Sequence, residues 1–217
     1  FMILFGVNFN FYFLLLLRKW KQAFSNEEVC CYFAVIGIAI LLISWDIRGL
    51  YDTFFVALRE SAFQVGSIIT TTGFATCDFN QWPEISRTIL VMLMFVGACA
   101  GSTGGGIKVS RFIILIKSTG KELSSYLHPR QVKSIRMDGK SIDPEVVRNI
   151  NVFMIVYLLI FAVSLLVLAC DGTDLITNFT AVAATFNNIG PGLELVGPSA
   201  NFGLFSNPAK LVLIFDM

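Results

Sequence analysis

Two polar segments, each containing glycine, interrupt long apolar runs: TTTGFATCDF at 70–79 and NNIGPGLELVG at 187–197. In a bilayer, unpaired backbone N–H and C=O groups cost several kcal/mol each, so such backbone persists only where it is buried in protein or lines water. There its carbonyl oxygens can replace the hydration shell of a cation. Consecutive threonines favour extended backbone, and Gly73 permits φ values that other residues resist. The two segments therefore predict cation coordination.

A third segment, GACAGSTGGGIKVS at 97–110, is rich in small residues. It fails as a phosphate-binding P-loop, because Ile107 stands where the pattern GxxxxGK[ST] requires lysine. Tight helix packing through Gly97 and Gly101 is one interpretation. We favour another, an unwound and flexible loop beneath the breaks that occludes a pore. Lys108 follows it, and its charge either lies near the conduction path or snorkels to the cytoplasmic interface. The six residues expected to form this gating loop are Gly101, Ser102, Thr103, Gly104, Gly105 and Gly106.

The composition indicates what holds these segments. Apolar residues make up 55% of the chain and charged residues only 14%, and the mean hydropathy is +0.73, which together indicate a membrane protein. Four apolar stretches reach the roughly 17–25 residues that a spanning helix needs. They are 1–17, 29–45, 85–116 with its glycine-rich interruption, and 150–170, and a fifth begins at Pro208. Two shorter segments, 52–70 and 174–186, suit re-entrant half-helices, each capped by Asp or Thr.

The order of elements is repeated. A helix (29–45), half-helix (53–69), polar break (70–80) and helix (84–117) are followed by a helix (146–170), half-helix (174–186), polar break (187–206) and helix from 208. Gly73 and Gly190 occupy matching places, which gives a period near 117 residues. The predicted fold class is an all-α membrane protein built from repeated helix–pore loop–helix units, resembling a potassium-channel pore.

The basic residues predict the orientation. They cluster at 18–21 and 117–148, while the connections DIRGLYD and DGTD are acidic or balanced. Positive-inside reasoning places the basic segments in the cytoplasm and the two breaks on the outer side. The basic stretch lacks interleaved aromatics, so we expect no nucleic-acid partner. We read His128 as a loop residue rather than a metal ligand, because no other ligand type is adjacent.

Four motifs in order, TTTGFATCDFNQWP, GACAGSTGGGIKVSR, LHPRQVKSIRMDGK and NNIGPGLELVGPSANFG, resemble the TrkH/TrkG potassium-uptake subunit of the bacterial Trk system, within the TrkH/Ktr/HKT superfamily. The resemblance covers essentially the whole chain. It implies a multi-pass inner-membrane protein whose single subunit forms a pore of four repeats, works as a homodimer and is gated by a TrkA-like cytoplasmic nucleotide-binding regulator. Potassium would be the transported ion, with no organic cofactor. No nucleophile–base pair, redox-cofactor motif or Walker motif is present, so we expect no enzyme.

Carried over to this sequence, the resemblance implies a potassium filter and a division of the chain. The filter would comprise Thr71, Thr72, Gly73 and Phe74 with Asn188, Ile189, Gly190 and Pro191. The divisions would be the end of a preceding transmembrane helix (1–17), a cytoplasmic connection (18–28), a third repeat (29–117) containing the intramembrane loop (97–106), a basic cytoplasmic linker (118–145) and a fourth repeat truncated in its last helix (146–217). The chain would thus be a C-terminal half fragment. An ion-coupled symporter working by alternating access, with the breaks as binding sites, and a non-conducting scaffold fragment remain alternatives.

Overall fold

The computed structural model describes residues 1–127 and 134–217, and the elements below are those of this part of the chain. The helices are α1 (Met2–Phe5), α2 (Phe9–Leu16), α3 (Trp20–Phe24), α4 (Glu27–Asp46), α5 (Phe54–Ile69), α6 (Glu84–Phe95), α7 (Val109–Leu127), α8 (Pro144–Ala169), α9 (Leu175–Phe186) and α10 (Asn207–Asp216). Strands β1 (Arg136–Met137) and β2 (Lys140–Ser141) form an antiparallel hairpin. Single 3₁₀ turns lie at Ile47–Gly49, Phe79–Gln81, Glu194–Val196 and Phe202–Leu204.

Two helices of the described chain are long and apolar enough to cross a membrane: α4 with the turn that follows it, and α8. Both begin at side-chain caps. The Asn26 side chain accepts a hydrogen bond from the Val29 amide (3.0 Å), and Asp143 accepts one from the Glu145 amide (2.9 Å). At about 1.5 Å per residue, the 20 residues of α4 extend roughly 30 Å, the thickness of a bilayer core.

Helices α5 and α9 are the predicted half-helices, and their observed bounds agree with the expected 53–69 and 174–186 to within one residue. They contain 16 and 12 residues, so they extend only roughly 24 and 18 Å. Thr53 and Asp174 occupy the predicted N-cap positions. Asp174 accepts a hydrogen bond from the Thr177 amide, whereas Thr53 makes no side-chain cap bond.

The expected helix 84–117 is not continuous. Helix α6 ends at Phe95 and α7 begins at Val109, so the predicted interruption is present and its small residues are not helical. Helix α7 continues to Leu127, well into the segment that we expected to be a linker (118–145). The apolar criterion misses this extension because KSTGKELSSYL is amphipathic and carries charges.

The N-terminal stretch also differs from the expectation. Residues 1–17 form two short helices, α1 and α2, separated at 6–8, rather than the end of one helix. Asn8 explains the restart, because its side-chain oxygen accepts a hydrogen bond from the Asn10 amide (2.8 Å) and caps α2. The expected connection 18–28 contains helix α3 and the first residues of α4.

The expected linker also contains the β1–β2 hairpin. Its turn residues Asp138 and Gly139 have φ values of +51° and +76°, the left-handed pair that a two-residue hairpin turn requires. His128, Arg130 and Lys133 lie outside the described residues.

The helices pack as two units that share one core. Helix α4 packs on α5 and α6, helix α8 packs on α9 and α10, and α6 contacts α9 across the boundary between the units. Aromatic rings fill that boundary. The Phe95 ring centroid lies 5.5 Å from that of Phe161 and 5.9 Å from that of Phe179, and the latter two are 5.3 Å apart. We call α4–α6 the first unit and α8–α10 the second unit.

Candidate functional site

The first polar break (70–80) begins with a tight turn at the end of α5. The Thr71 amide donates to the Ile68 carbonyl (3.0 Å) and the Thr72 amide to the Ser67 carbonyl (2.8 Å). These two bonds define a Schellman motif, which requires one residue in the left-handed region. That residue is Thr71, with φ of +54°, and Gly73 follows with φ of +78°. A threonine is uncommon in this region because its branched Cβ crowds the backbone.

The second polar break (187–206) has the same backbone at the end of α9. The Asn188 amide donates to the Thr185 carbonyl (2.9 Å) and the Ile189 amide to the Ala184 carbonyl (2.8 Å). Asn188 has φ of +55° and Gly190 φ of +111°. Each residue of this motif lies 117 positions after its counterpart in the first break. The predicted repeat therefore extends to individual hydrogen bonds.

The two breaks lie side by side. A Cβ atom built on Gly73 would lie only 2.0 Å from the carbonyl oxygen of Ile189 and 3.2 Å from its carbonyl carbon. A Cβ on Gly190 would meet nothing within 4 Å, and a cavity of about 450 Å³ lies beside it, lined in part by Asn188. The ends of α5 and α9 thus meet at one place, which receives the partial negative charge of both helix C-termini.

Of the other expected filter residues, Thr72 and Phe74 are exposed and Pro191 is half-buried. The Thr72 hydroxyl contacts the Thr70 hydroxyl at 2.8 Å. Phe74 is 71% exposed. The residues that the structure brings together are therefore those around Thr71, Gly73 and Ile189 rather than all eight.

The loop of small residues, 97–106, lies directly against both breaks; we call it the glycine loop. The Gly105 amide donates to the Thr71 hydroxyl (2.7 Å), and a Cβ on Gly105 would lie 3.0 Å from the Asn187 carbonyl oxygen. A Cβ on Gly104 would lie 3.4 Å from the Thr70 carbonyl oxygen. Side chains at these two glycines would push the loop away from the helix ends, so the small residues allow a close approach.

The glycine loop is closed at its base by main-chain bonds. The Gly97 amide donates to the Ile107 carbonyl (2.8 Å), and the Val109 amide donates to the Ala98 carbonyl (3.3 Å). These bonds satisfy backbone groups that would be costly to leave unpaired inside a membrane. The loop is a folded structure with defined ends.

The break between α1 and α2 supplies further partners for the glycine loop. The Cys99 amide donates to the Gly6 carbonyl (3.0 Å), and the Phe9 amide donates to the Gly101 carbonyl (3.2 Å). The interruption at 6–8 thus exposes backbone groups that pair with the loop. No local pattern predicts this contact, because the two segments are far apart in the chain.

Two charged side chains contact the glycine loop. The Lys108 ammonium donates to the Gly104 carbonyl, so the lysine lies against the loop itself. A buried carboxylate, Glu28 of α4, accepts hydrogen bonds from the amides of Ala100 (2.6 Å) and Ser110 (3.1 Å). Sequence reasoning missed Glu28, although an acidic residue entering an apolar helix was a visible signal.

Different side chains form hydrogen bonds that support the two breaks. In the first unit, buried Glu60 accepts hydrogen bonds from the Thr76 hydroxyl and from its neighbour Arg59. In the second unit, the Thr180 hydroxyl accepts a hydrogen bond from the Leu193 amide (3.0 Å). A carboxylate thus supports the first break, and a neutral hydroxyl supports the second.

A further support in the second unit comes from α8. The buried Tyr157 hydroxyl donates to the Asn187 side-chain oxygen (2.9 Å), and the Asn187 side-chain amide donates to the Ala183 carbonyl (2.9 Å). Both groups of the Asn187 side chain are therefore used. This contact fixes Asn187, the residue that follows α9 and precedes the turn.

Each polar break contains one carboxylate residue, Asp78 in the first and Glu194 in the second. Glu194 forms an ion pair with Arg87 of α6, whose side chain is only 11% exposed. Asp78 accepts hydrogen bonds from the Asn80 amide (3.1 Å) and the Ser199 hydroxyl (3.3 Å). The Asn80 side chain also makes reciprocal bonds of 2.9 and 3.0 Å with the Glu194 backbone. These polar contacts tie the two breaks together.

Known proteins resemble this chain throughout its length. The family model described as "TrkH: Cation transport protein" matches residues 56–217. The Trk system potassium uptake protein TrkH of Salmonella typhimurium is 34% identical over 221 residues, and the alignment covers 100% of this chain and 45% of that protein. The TrkH protein of Vibrio parahaemolyticus is 39% identical over 202 residues, covering 91% and 40%. The Trk system potassium uptake protein TrkG of Escherichia coli is 32% identical, covering 100% and 45%.

A solved structure agrees with these relatives. The crystal structure of the potassium transporter TrkH from Vibrio parahaemolyticus superimposes with a TM-score of 0.88 at 33% identity, covering 100% of this chain and 47% of that one. The chain therefore spans about half the length of the relatives that it matches. The predicted family resemblance and the predicted all-α membrane fold class are both confirmed. The family is one of transport proteins, which agrees with the expectation that the chain is not an enzyme.

Proposed function

Because the chain belongs to the TrkH family of cation transport proteins, we propose that it forms part of a pore for potassium uptake across the bacterial inner membrane. One observation carries the proposal. The same turn, with the same two hydrogen bonds and the same left-handed residues, ends both half-helices, and the two turns adjoin. Helix C-termini that meet at one place favour a cation there. The transported ion is a substrate that passes through.

In this proposal the two breaks are parts of one selectivity filter. Thr71, Thr72, Gly73 and Phe74 contribute the filter segment of a third repeat, and Asn188, Ile189, Gly190 and Pro191 that of a fourth. Backbone carbonyls of these residues replace water around potassium. The open cavity beside Gly190 supports the idea that further filter segments complete the ring. Two additional repeats complete a four-repeat pore.

The glycine loop is the proposed gate. It lies against the ends of both half-helices. A loop held by a few hydrogen bonds can change between a blocking and a clearing conformation, and a cytoplasmic partner can bias that equilibrium. We assign that partner the character of a TrkA-like nucleotide-binding regulator, acting on a homodimer of the full-length subunit.

Ion flux tests the transport proposal. A full-length four-repeat protein containing these residues, reconstituted in liposomes, should admit rubidium tracer and should discriminate potassium from sodium. In potassium-uptake-deficient bacteria, it should restore growth on low potassium. Folded, inserted protein that carries no rubidium would contradict the proposal and favour a non-conducting scaffold.

The symporter alternative makes a different prediction for current. A channel-like pore passes current that scales linearly with driving force, whereas an alternating-access carrier saturates and requires a coupled ion. Voltage-clamp recordings at graded potassium gradients distinguish the two. The adjoining breaks favour the pore, because they form one shared place rather than two separate binding sites.

The gate has its own test. Shortening GSTGGG (101–106) should raise basal rubidium flux and reduce its dependence on the regulator, while the potassium-to-sodium ratio stays the same. The control is Ser102→Ala, which keeps the loop length. Deletions that leave flux and regulator dependence at wild-type values would assign the loop a packing role only.

Orientation is tested by labelling. Cysteines at Lys121 or Lys140 should react with a membrane-impermeant thiol reagent only from the cytoplasmic side, and one at Asp78 only from outside. The native cysteines are replaced first. Labelling from the opposite sides would invert the proposed pore.

A further inference from the structure

Glu28 is the most deeply buried carboxylate side chain near the glycine loop. It lies in the first turn of α4 and is 3% exposed, whereas glutamate is almost never fully buried without a partner. Within residues 1–127 and 134–217 the carboxylate forms no ion pair. Its partners are two backbone amides. The buried Glu28 carboxylate is therefore stabilised by hydrogen bonds from the main chain.

Both contacts fall on one oxygen. Glu28 Oε1 accepts from the amide of Ala100, immediately before the six small residues, and from the amide of Ser110, in the first turn of α7. One carboxylate oxygen thus connects Ala100 of the glycine loop to the first turn of α7. Because the N-terminus of α7 carries partial positive charge, a carboxylate is well suited to this place.

We propose that Glu28 is the positioning residue of the glycine loop: its hydrogen bonds hold Ala100 of the loop to the first turn of α7 and keep the loop against the polar breaks. Loss of these bonds releases the loop. The inference rests on the proposed gating role of the glycine loop. It adds the residue, outside the loop, that fixes the blocking conformation.

The residues around Glu28 connect it to the β1–β2 hairpin, which we expect on the cytoplasmic side. Its neighbour Glu27 forms an ion pair with Lys117 of α7, and Lys117 also donates to the Arg136 carbonyl of the hairpin (2.8 Å). The Asp138 carboxylate at the hairpin turn accepts a hydrogen bond from the Glu27 amide (2.8 Å). The hairpin and the glycine loop therefore contact adjacent residues of α4. A displacement of the hairpin is therefore transmitted to Glu28 through its neighbour Glu27.

The variants separate the hydrogen bonds from the charge. Glu28→Gln retains Oε1 as an acceptor and loses the charge, whereas Glu28→Leu removes the acceptor at similar volume. Glu28→Asp keeps the charge but retracts the oxygen by one carbon–carbon bond, and it serves as a second variant if the leucine variant does not fold. Glu122→Leu, on the exposed part of α7, is the matched control for removal of a glutamate.

The first readout is rubidium flux through the full-length protein without its regulator. We expect Glu28→Leu to raise basal flux about fivefold or more, the lower end of typical coupling between sites. Glu28→Asp should also raise it, while Glu28→Gln and Glu122→Leu stay at the wild-type value. The potassium-to-sodium ratio should be the same in all four. A merely structural glutamate would lower flux and selectivity together.

The second readout does not depend on transport. A single cysteine at Ser102, in a background without native cysteines, should react with a hydrophilic maleimide faster in Glu28→Leu and Glu28→Asp than in wild type. Unchanged labelling and unchanged flux in folded variants would overturn the role of Glu28. Absent flux in the wild type, with faster labelling in the variants, would overturn the proposed function and leave the positioning of the loop by Glu28 supported.

Discussion

The two polar breaks have one backbone and two different sequences. Both end a half-helix in a Schellman motif, and both place a left-handed residue two positions before a glycine with positive φ. The left-handed residue is Thr71 in the first unit and Asn188 in the second. Asparagine tolerates this conformation, whereas a β-branched residue opposes it. The same geometry is therefore relaxed in the second unit and strained in the first.

The strained position is also the one that contacts the glycine loop. The Thr71 hydroxyl accepts the Gly105 amide, whereas the Asn188 side chain donates to the Met217 carbonyl (3.0 Å). Strained backbone persists when the surrounding structure over-determines it and is concentrated at functional sites. The comparison teaches that the first unit supplies a hydrogen bond from a strained residue to the proposed gate, while the second unit approaches the gate at Asn187 beside a relaxed turn.

The largest expected effect concerns the two glycines. Gly73→Ala places a Cβ against the Ile189 carbonyl, so that carbonyl must turn, and we expect at least tenfold loss of potassium-to-sodium discrimination. Gly190→Ala meets open space, and its cost is backbone strain of about 1–2 kcal/mol. Its effect on selectivity should be smaller. Relative permeabilities from reversal potentials provide the measurement.

A third glycine controls for the substitution itself. Gly37 lies in α4, where an added Cβ meets nothing within 4 Å. Gly37→Ala should leave selectivity unchanged. Equal losses at Gly73 and Gly190 would show that the two breaks are equivalent and would remove the asymmetry.

The second prediction exchanges the left-handed residues. Asn188→Thr should lower the free energy of unfolding by about 1–2 kcal/mol, because a β-branched side chain enters the left-handed region. Thr71→Asn should either raise the free energy of unfolding or lower it by less than Asn188→Thr does. Thermal unfolding in detergent measures both.

A glycine at position 188 separates the two contributions there. Asn188→Gly removes the side-chain contact to the Met217 carbonyl but keeps the backbone unstrained, so it should cost less than Asn188→Thr. If Asn188→Thr left the free energy of unfolding unchanged, the left-handed conformation of Thr71 would not destabilise the protein.

Much of the fold could be predicted because local signals agree. The half-helices 53–69 and 174–186 match α5 and α9 closely, since N-cap residues mark their starts and the polar breaks mark their ends. The repeat was visible in the order of elements. The polar breaks were found because polar residues and glycine are conspicuous between apolar runs.

The errors arose where composition hides structure. The break at 6–8 is short and lies in an apolar run, and α7 continues beyond residue 117 because amphipathic sequence fails an apolar test. The hairpin was missed although its Asp138–Gly139 turn is a strong local signal. These errors are local and correctable.

The contacts of Glu28 are of another kind. Its two partners lie 72 and 82 positions along the chain, and no periodicity links them. The same holds for the meeting of Gly73 and Ile189. Only the packing of the two units reveals which groups share the site.

The third prediction compares the starts of the half-helices. Asp174→Ala should cost about 1 kcal/mol because the cap to Thr177 is lost, whereas Thr53→Ala should cost much less, since Thr53 makes no cap bond. Asp174→Asn, which retains a capping oxygen, is the control. Unfolding midpoints of the variants measure these costs.

The Asp174 cap also depends on pH. Hydrogen bonds from Thr177 lower the pKa of the Asp174 carboxyl below its usual value of 3.8. A depressed folded-state pKa stabilises the protein above the unfolded pKa, and the stabilisation is lost as pH falls through the folded value. The cost of Asp174→Ala should therefore shrink below about pH 4. A cost that stays constant down to pH 2 would contradict the contribution of the charged form.

The smallest expected effect concerns Asp78 and Glu194, the carboxylates of the two breaks. Glu194 is paired with Arg87, which also pairs with Glu84, so the charge of Glu194 is partly compensated. Asp78 has amide and hydroxyl donors but no ion pair within the described chain, so no neighbouring cation compensates it near the proposed pore entrance. A retained charge attracts cations at low ionic strength and is screened as salt increases.

Asp78→Asn should therefore reduce rubidium uptake roughly twofold at low salt, and the difference should vanish near 1 M salt, where the screening length is about 3 Å. Glu194→Gln should instead lower thermal stability slightly, because the nearly buried Arg87 loses one of its two carboxylate partners and keeps Glu84, and the salt dependence of uptake should not change. Uptake measured across a salt series, beside melting temperatures, distinguishes the two roles. If both substitutions weakened uptake only at low salt, the Arg87 pair would not compensate the charge, and the two breaks would share one electrostatic entrance.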